Sequence, residues 1–321
     1  MGKARIYITR KIPNSLLADY EKIFSVRMWE KEDERVPREV LLTEAKTADG
    51  ILTVLTDQVD EELLSQAANL KVVANLAVGY DNIDLLAAKK HGVIVTNTPD
   101  VLSETTADLG FALLMATGRR VVEANEFIKN DRWKEWAPYL LAGTDIHHKT
   151  IGILGMGRIG EGIARRAKGF NMMVRYHNRT RKEAAERQLG AIYSSFDELL
   201  SNSDFIVSVV PLSKKTENIF NKQAFEKMKS SAIFINISRG GVVDEDALLQ
   251  ALKEGKIKAA GLDVFKEEPI SSEHPLMGMP NVVCLPHIGS ASEETRTAMI
   301  NLCLNNLKGV LCGSGAITPI D

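Results

Sequence analysis

Three residues with complementary chemistry stand just past consecutive apolar runs: Arg239, Glu268 and His287. Each alone has an ordinary reading, as a surface charge, a solvated loop acid or a satisfied histidine. Together they place a cation, a carboxylate and an imidazole on one rim of one sheet. That set suits the reduction of a carbonyl beside a carboxylate. The Arg239 guanidinium matches a carboxylate in a two-pronged pair. The His287 imidazole gives or takes the carbonyl proton, while Glu268 orients it and supports its charged form.

A second constellation spans Thr150 to Arg181. The apolar run Thr150–Leu154 leads into Gly155-Met156-Gly157-Arg158-Ile159-Gly160. A helical pattern follows, with Ile159, Ile163, Ala164 and Ala167 on one face, and then a strand-like run, Met172–His177. Strand, glycine turn, helix and strand fall within about 30 residues, the context a dinucleotide fingerprint requires. Gly155 allows the tight turn, Gly157 the approach to a pyrophosphate, and Gly160 close packing of helix on strand. Free N–H groups and the helix dipole then hold the anion. A plain βαβ crossover without ligand is the alternative. Where an NAD site carries an acid for the ribose hydroxyls, this chain has Asn178-Arg179-Thr180-Arg181. Arg179 and Arg181 attract a 2′-phosphate, and Asn178 and Thr180 add hydrogen-bonding groups. A solvated helix start would look similar. The missing acid favours NADP(H), with NAD(H) as the second candidate.

The elements that must position these residues are legible as apolar runs. Asp204–Val210 ends at Pro211, and Ala232–Ile237 ends in Ser238-Arg239-Gly240-Gly241. Ala259–Val264 leads to Glu267-Glu268-Pro269, and Val282–Pro286 leads to His287-Ile288-Gly289-Ser290. Strands ending in polar turns form a ligand crevice in such sheets. Arg158 and Ile159 in the glycine turn, Val210, Pro211, Ile237 and Ser238 at strand ends, and Gly289 are the candidate cofactor contacts. Upstream, strand-like runs at Ile6–Ile8, Val26–Trp29, Gly50–Val54 and Val72–Ala74 alternate with helices. Those helices open at Pro13-Asn14 (through Leu16, Leu17 and Tyr20), at Pro37 and at Asp60. This alternation predicts a second doubly wound parallel sheet, without a glycine phosphate loop. Leu55–Asp57 and Asn75–Asp81 lie at its carboxyl ends. N–H groups near Val78 and Gly79 could hold a substrate carboxylate, although a tight loop before a helix at Asp84 is the simpler account on physical grounds.

Ser103–Met115 opens a long apolar helix, read as the hinge into the second domain. Residues 130–149 hold Trp133, Trp136, Pro138 and Tyr139 without period. They form either a contact surface or packing on their own domain. A last helix, about Ser292 to Leu311, is too long for a cap and is read as returning to the first domain.

Apolar residues make up 45% and charged residues 26% of the 321, ordinary for a globular protein. Net charge is −2 from 40 basic and 42 acidic residues, which points to neither nucleic acid nor an anionic membrane. Cys284, Cys303 and Cys312 are odd in number and lack CxxC spacing, so they read as reduced thiols of a cytoplasmic protein and not as a metal site. The N-terminus carries no apolar signal segment. Ile6 stands where a myristoylation motif needs Ser or Thr, and no run approaches membrane-spanning length. His147 and His148 look structural, while His91, His177 and His274 have no partner nameable from the sequence.

Across its length the chain resembles the D-2-hydroxyacid dehydrogenases. The resemblance rests on Asn75–Asp84, Thr105-Thr106-Ala107-Asp108, Gly155–Gly160, Ile237–Gly241, Gly261–Pro269 and Pro286–Ser290. It implies an α/β fold of two doubly wound parallel-sheet domains. One is a Rossmann nucleotide-binding domain at 101–288, the other a flavodoxin-like, discontinuous substrate domain at 1–100 and 289–321. It also implies a homodimer through the nucleotide domains. Residue by residue, it makes Arg239, Glu268 and His287 catalytic, with Val78 and Gly79 on the substrate. It sets Asp263 on the nicotinamide amide and Thr106 near the cofactor phosphates. The Asn178–Arg181 run and Trp136 are similar to the glyoxylate/hydroxypyruvate reductase and 2-ketogluconate reductase branches. In the former, a tryptophan like Trp136 reaches the partner's active site. Chain length argues against phosphoglycerate dehydrogenases with an extra regulatory domain. The expectation is an NADPH-dependent reductase of small 2-keto acids. A dinucleotide-sensing corepressor on the same fold is the alternative, which the full triad and the lack of long disordered tails disfavour.

Overall fold

Strands and helices alternate from Ala4 onward, and every strand ladder is parallel. The computed structural model describes residues 2–320. It separates into two compact units, Met1–Leu102 with Ala291–Asp321, and Ser103–Ser290.

The first unit begins with β1 (Ala4–Ile8), β2 (Phe24–Met28), α1 (Arg38–Ala45), β3 (Gly50–Thr53), α2 (Glu61–Gln66), β4 (Val72–Asn75), α3 (Leu85–Lys90) and β5 (Ile94–Thr96). Its sheet runs β2-β1-β3-β4-β5, the flavodoxin-like order. β3 and β4 are buried along their whole length, as parallel strands covered on both faces must be. Helix starts follow their caps: Asp60 accepts the Leu63 N–H at 3.1 Å and Asp84 the Ala87 N–H at 2.9 Å. The helix expected from Pro13-Asn14 is instead a single 3-10 turn, Asn14–Leu16, followed by further turns. So few residues separate Pro13 from β2 that nucleating an α-helix has little to repay it.

The second unit comprises α4 (Ser103–Gly118), α5 (Val121–Lys129), β6 (Thr150–Leu154), α6 (Arg158–Gly169), β7 (Met173–His177), α7 (Glu183–Leu189), β8 (Ile192–Tyr193), α8 (Phe196–Asn202), β9 (Phe205–Ser208), α9 (Lys222–Lys227), β10 (Ile233–Asn236), α10 (Glu245–Lys253), β11 (Ala259–Leu262) and β12 (Val282–Cys284). Its order, β12-β11-β10-β9-β6-β7-β8, reverses direction at β6 and β9. That is a topological switch point, where doubly wound sheets bind ligands. Side chains alternate across the sheet. Phe205, Val207, Ile233 and Ile235 enter one core with Phe111, Leu114 and Ile163, while Ile206 and Phe234 enter the other with Phe220, Phe225 and Leu248.

Residues 291–321 belong to the first unit. There α11 (Glu293–Leu311) packs on β3 and β4. A methyl group at Gly50 would come within 2.9 Å of Leu307. No described helix is long and apolar enough to cross a membrane.

Candidate active site

The glycine turn between β6 and α6 divides its work among three residues. Gly155 has a φ of 102°, a left-handed value that costs a side chain dearly, and its N–H donates to the His177 carbonyl at 3.0 Å. A methyl group at Gly160 would lie 2.2 Å from the Gly155 carbonyl oxygen. A methyl group at Gly157, the N-cap of α6, would meet nothing within 4 Å. Two glycines therefore close the turn, and the third borders open space at the start of a 12-residue helix. Arg158 and Ile159 open that helix, and Val210 packs at the back of the turn, its Cγ1 3.0 Å from where a Gly155 side chain would begin.

At the end of β7 the two arginines differ. Arg181 grips Glu186 with Nε and Nη2 at 2.7 and 2.8 Å. The Tyr176 hydroxyl donates to the same carboxylate at 2.6 Å and accepts the Lys182 N–H at 2.7 Å. The Arg181 and Tyr176 hydrogen bonds hold the Glu186 carboxyl at about 2, and burial followed by the Glu186 bond pushes the Tyr176 hydroxyl up to about 12. Arg179 is exposed and has no ion-pair partner among the described residues. Asn178 turns its amide onto the Thr180 carbonyl, at 3.1 Å, and so shapes the loop.

β10, β11 and β12 are neighbours, with Asn236, Leu262 and Cys284 in register. Arg239, Glu268 and His287 thus leave the sheet on one rim. His287 Nδ1 lies 2.7 Å from Glu268 Oε2, and Glu268 Oε1 accepts the Phe265 N–H at 2.9 Å. Burial raises the Glu268 carboxyl, but the His287 hydrogen bond and charge, the Phe265 N–H and the Arg239 charge outweigh it and hold the group below its ordinary value. His287 itself has a φ of 55°, a conformation histidine tolerates better than most residues. The next N–H, that of Ile288, donates to Asp263 Oδ1 at 2.8 Å and fixes that turn.

Asp263 is 1% exposed, and its Oδ2 has no hydrogen-bond partner among the described residues. Burial raises its carboxyl, only partly offset by the Ile288 N–H, the His287 charge and the Gly289 N–H. Thr106 and Gly289 adjoin it: a methyl group at 289 would lie 3.3 Å from Asp263 Oδ2 and 3.4 Å from Thr106 Cγ2. A buried acceptor left over beside Thr106, and open space at Gly157, fit a dinucleotide's amide and pyrophosphate groups. Among the described residues, no group of three or more His, Cys, Asp or Glu is placed to hold a metal ion.

Asn236, at the end of β10, is a positioning residue that the sequence alone does not single out. It is 1% exposed; its Nδ2 donates to the Arg239 carbonyl at 2.9 Å and its Oδ1 accepts the Ser238 N–H and hydroxyl at 3.1 and 2.8 Å. Ser238 thereby faces inward, 3.1 Å from the Ser208 hydroxyl, and Ile237 packs against Gly110 of α4. Gly240 lets two loops touch, since a methyl group there would fall 1.8 Å from the Phe265 carbonyl carbon.

In the first unit, the Val78–Gly79 loop is held by its carbonyls. Asn97 donates to the Val78 oxygen at 2.8 Å and Asn75 to the Gly79 oxygen at 2.9 Å. Thr318 donates to the Asn97 carbonyl at 2.6 Å and accepts from buried Asn306 at 2.9 Å, so α11 supports this loop. The Val78 and Gly79 N–H groups meet no backbone acceptor among the described residues. The other strand-end candidate, Leu55–Asp57, is structural at its acid. Fully buried Asp57 takes the Thr9 hydroxyl and the Val54 N–H, and Arg10 stands 3.4 Å away. Trp136 is 73% exposed in the irregular stretch after α5. His91 contacts Glu61 at 3.0 Å, His177 the Ser194 carbonyl at 2.9 Å, and exposed His147 and His148 face each other.

Residues 111–289 match the family described as D-isomer specific 2-hydroxyacid dehydrogenase, NAD binding domain. The glyoxylate reductase of Pyrococcus horikoshii is 50% identical over 309 residues, covering 95% of this chain and 92% of that protein. A crystal structure of a protein from Thermus thermophilus superposes with a TM-score of 0.92 at 39% identity, covering 99% of this chain and 100% of that one. The NADPH-dependent glyoxylate/hydroxypyruvate reductase of Sinorhizobium meliloti, solved with NADP and malonate, has a TM-score of 0.87 at 34% identity, covering 99% and 97%.

Proposed function

The chain belongs to the D-isomer specific 2-hydroxyacid dehydrogenase family and is an oxidoreductase, and from that premise we propose that it reduces small 2-keto acids with a preference for NADPH. Glyoxylate and hydroxypyruvate are the first substrates to test, with 2-ketogluconate the larger candidate. The observation that carries this reading is the 2.7 Å contact between His287 and Glu268, on the rim that also bears Arg239. When bound, the dinucleotide supplies the hydride. Negative charge then develops on the carbonyl oxygen and calls for a proton. With Nδ1 committed to Glu268, Nε2 is the His287 nitrogen that delivers it. The ionised Glu268 stabilises the imidazolium before transfer. Arg239 anchors the substrate carboxylate, and the Val78 and Gly79 N–H groups provide a second anion-binding element.

Arg179 is the cation assigned to the 2′-phosphate, Gly157 and the start of α6 to the pyrophosphate, and Asp263 to the nicotinamide amide. In this reading 101–288 is the nucleotide domain, and 1–100 with 289–321 the substrate domain. The Pyrococcus relative supports the substrate class, and the Sinorhizobium neighbour supports the cofactor. The test is loss of NADPH absorbance with glyoxylate and hydroxypyruvate, run in parallel with NADH. No turnover of any 2-keto acid with either cofactor would sink the proposal.

A further inference from the structure

Glu245 stands in the first turn of α10, yet it is not the cap of that helix. Asp244 is, accepting the Ala247 N–H at 3.1 Å. The Glu245 side chain instead reaches the loop that carries Glu268. The Lys266 N–H donates to Glu245 Oε1 at 2.7 Å, and His274 Nε2 lies 3.5 Å from Glu245 Oε2. The preceding N–H, that of Phe265, donates to Glu268. Two consecutive amides therefore serve two carboxylates, one from the loop itself and one from α10. The His274 ring stands edge-on to Phe265, with centroids 5.8 Å apart at 69°. Its Nδ1 is enclosed and has no hydrogen-bond partner among the described residues. The side chains of Glu245 and His274 are each only 21% exposed.

We propose that Glu245, together with His274, is a positioning residue for the reaction: it grips the loop on both sides of Glu268 and so keeps that carboxylate against His287. The inference rests on the reading of Glu268 and His287 as the acid–base pair. A charge-assisted bond to a backbone N–H is strong for its size. Proton transfer is sensitive to displacements well below the length of a side chain. Releasing Lys266 lets the adjacent Phe265 amide, and with it Glu268, drift.

The experiment compares Glu245→Ala and Glu245→Gln with the parent and with Glu268→Gln. Glutamine keeps an oxygen for the Lys266 N–H. Glu245→Ala should lower kcat about 10- to 100-fold, the range expected when a reacting group is misplaced from a distance. The KM for the keto acid and the Kd for NADPH, read by fluorescence titration, should stay at parent values. Hydrogen exchange at the Phe265 and Lys266 amides should accelerate. Glu245→Gln should restore both kcat and protection. His274→Leu, which leaves the Lys266 bond intact, should give a smaller loss in the same direction and serves if the alanine variant does not fold. A Glu245→Ala protein, or in its place a His274→Leu protein, that melts earlier but keeps the parent kcat below its melting range would overturn the proposal. If Glu268→Gln leaves the pH profile unmoved, the acid–base reading fails instead, and hydrogen exchange at 265 and 266 still decides whether Glu245 is a tether.

Discussion

The Glu268–His287 contact sets the sign of the expected pH response. Reduction consumes the imidazolium, so its rate should fall as pH rises, and oxidation of the hydroxy acid should rise. Glu268→Gln keeps a hydrogen-bonding group but removes the charge that favours imidazolium, so the reduction profile should move to lower pH. The check is kcat/KM against pH for both proteins; coincident profiles would dissolve the pair. His287→Asn should lower kcat by about 10²–10⁴ through loss of the general acid. Asparagine is the right replacement because it tolerates the φ of 55° at that position; a β-branched residue would confound lost chemistry with a distorted turn. At the cofactor end, the two arginines separate. Arg179→Ala should raise the KM for NADPH and leave NADH nearly unchanged. Arg181→Ala should instead release Glu186 and disturb both cofactors. Steady-state kinetics with the two cofactors distinguish these outcomes. Sequence spacing makes the two arginines equivalent. The difference lies in Glu186, five residues beyond Arg181, whose contact exists only once α7 has formed.

At the scale of elements, the long apolar runs were readable because a strand buried on both faces must be apolar throughout. Thr150–Leu154, Phe205–Ser208 and Ile233–Asn236 all lie within the runs read as strands. Two short strands with exposed positions, β5 and β8, were not. β5 spans three residues beginning with exposed Ile94, and β8 spans two exposed residues, too few for a period. The positioning residues were also hidden. Asn75, Asn97 and Asn236 act through backbone carbonyls, and their partners are set by loop shape and not by residue type. The loop between β7 and α7 yields a stability prediction. Glu186 titrates near 2 in the folded chain against an ordinary 4.5. A depressed carboxyl contributes stability above its ordinary value and loses it as pH falls through the folded value. The parent should therefore lose melting temperature between about pH 4.5 and 2 more steeply than Glu186→Gln. Parallel melting curves across that window would contradict the assignment.

For the whole molecule, the exposed apolar residues of the second unit are concentrated in one stretch of chain. Val121, Val122 and Ile128 of α5 are followed by Trp133, Trp136 and Tyr139, all more than 40% exposed. Aromatic residues are enriched at interfaces, and we propose a second copy of the chain as the occupant of this surface. Sedimentation should show a dimer, and Trp136→Ala should alter the KM for the keto acid while the dimer persists; a fully active monomer would remove the basis for both expectations. A different kind of consequence follows from Gly240, whose backbone lies against that of Phe265. The loops bearing Arg239 and Glu268 meet main chain to main chain, so their spacing at this contact does not depend on which side chain stands at 239. A substitution at 239 should therefore change the substrate charge the rim accepts while leaving the Glu268–His287 contact in place. A methyl group at 240, by contrast, would displace both loops at once.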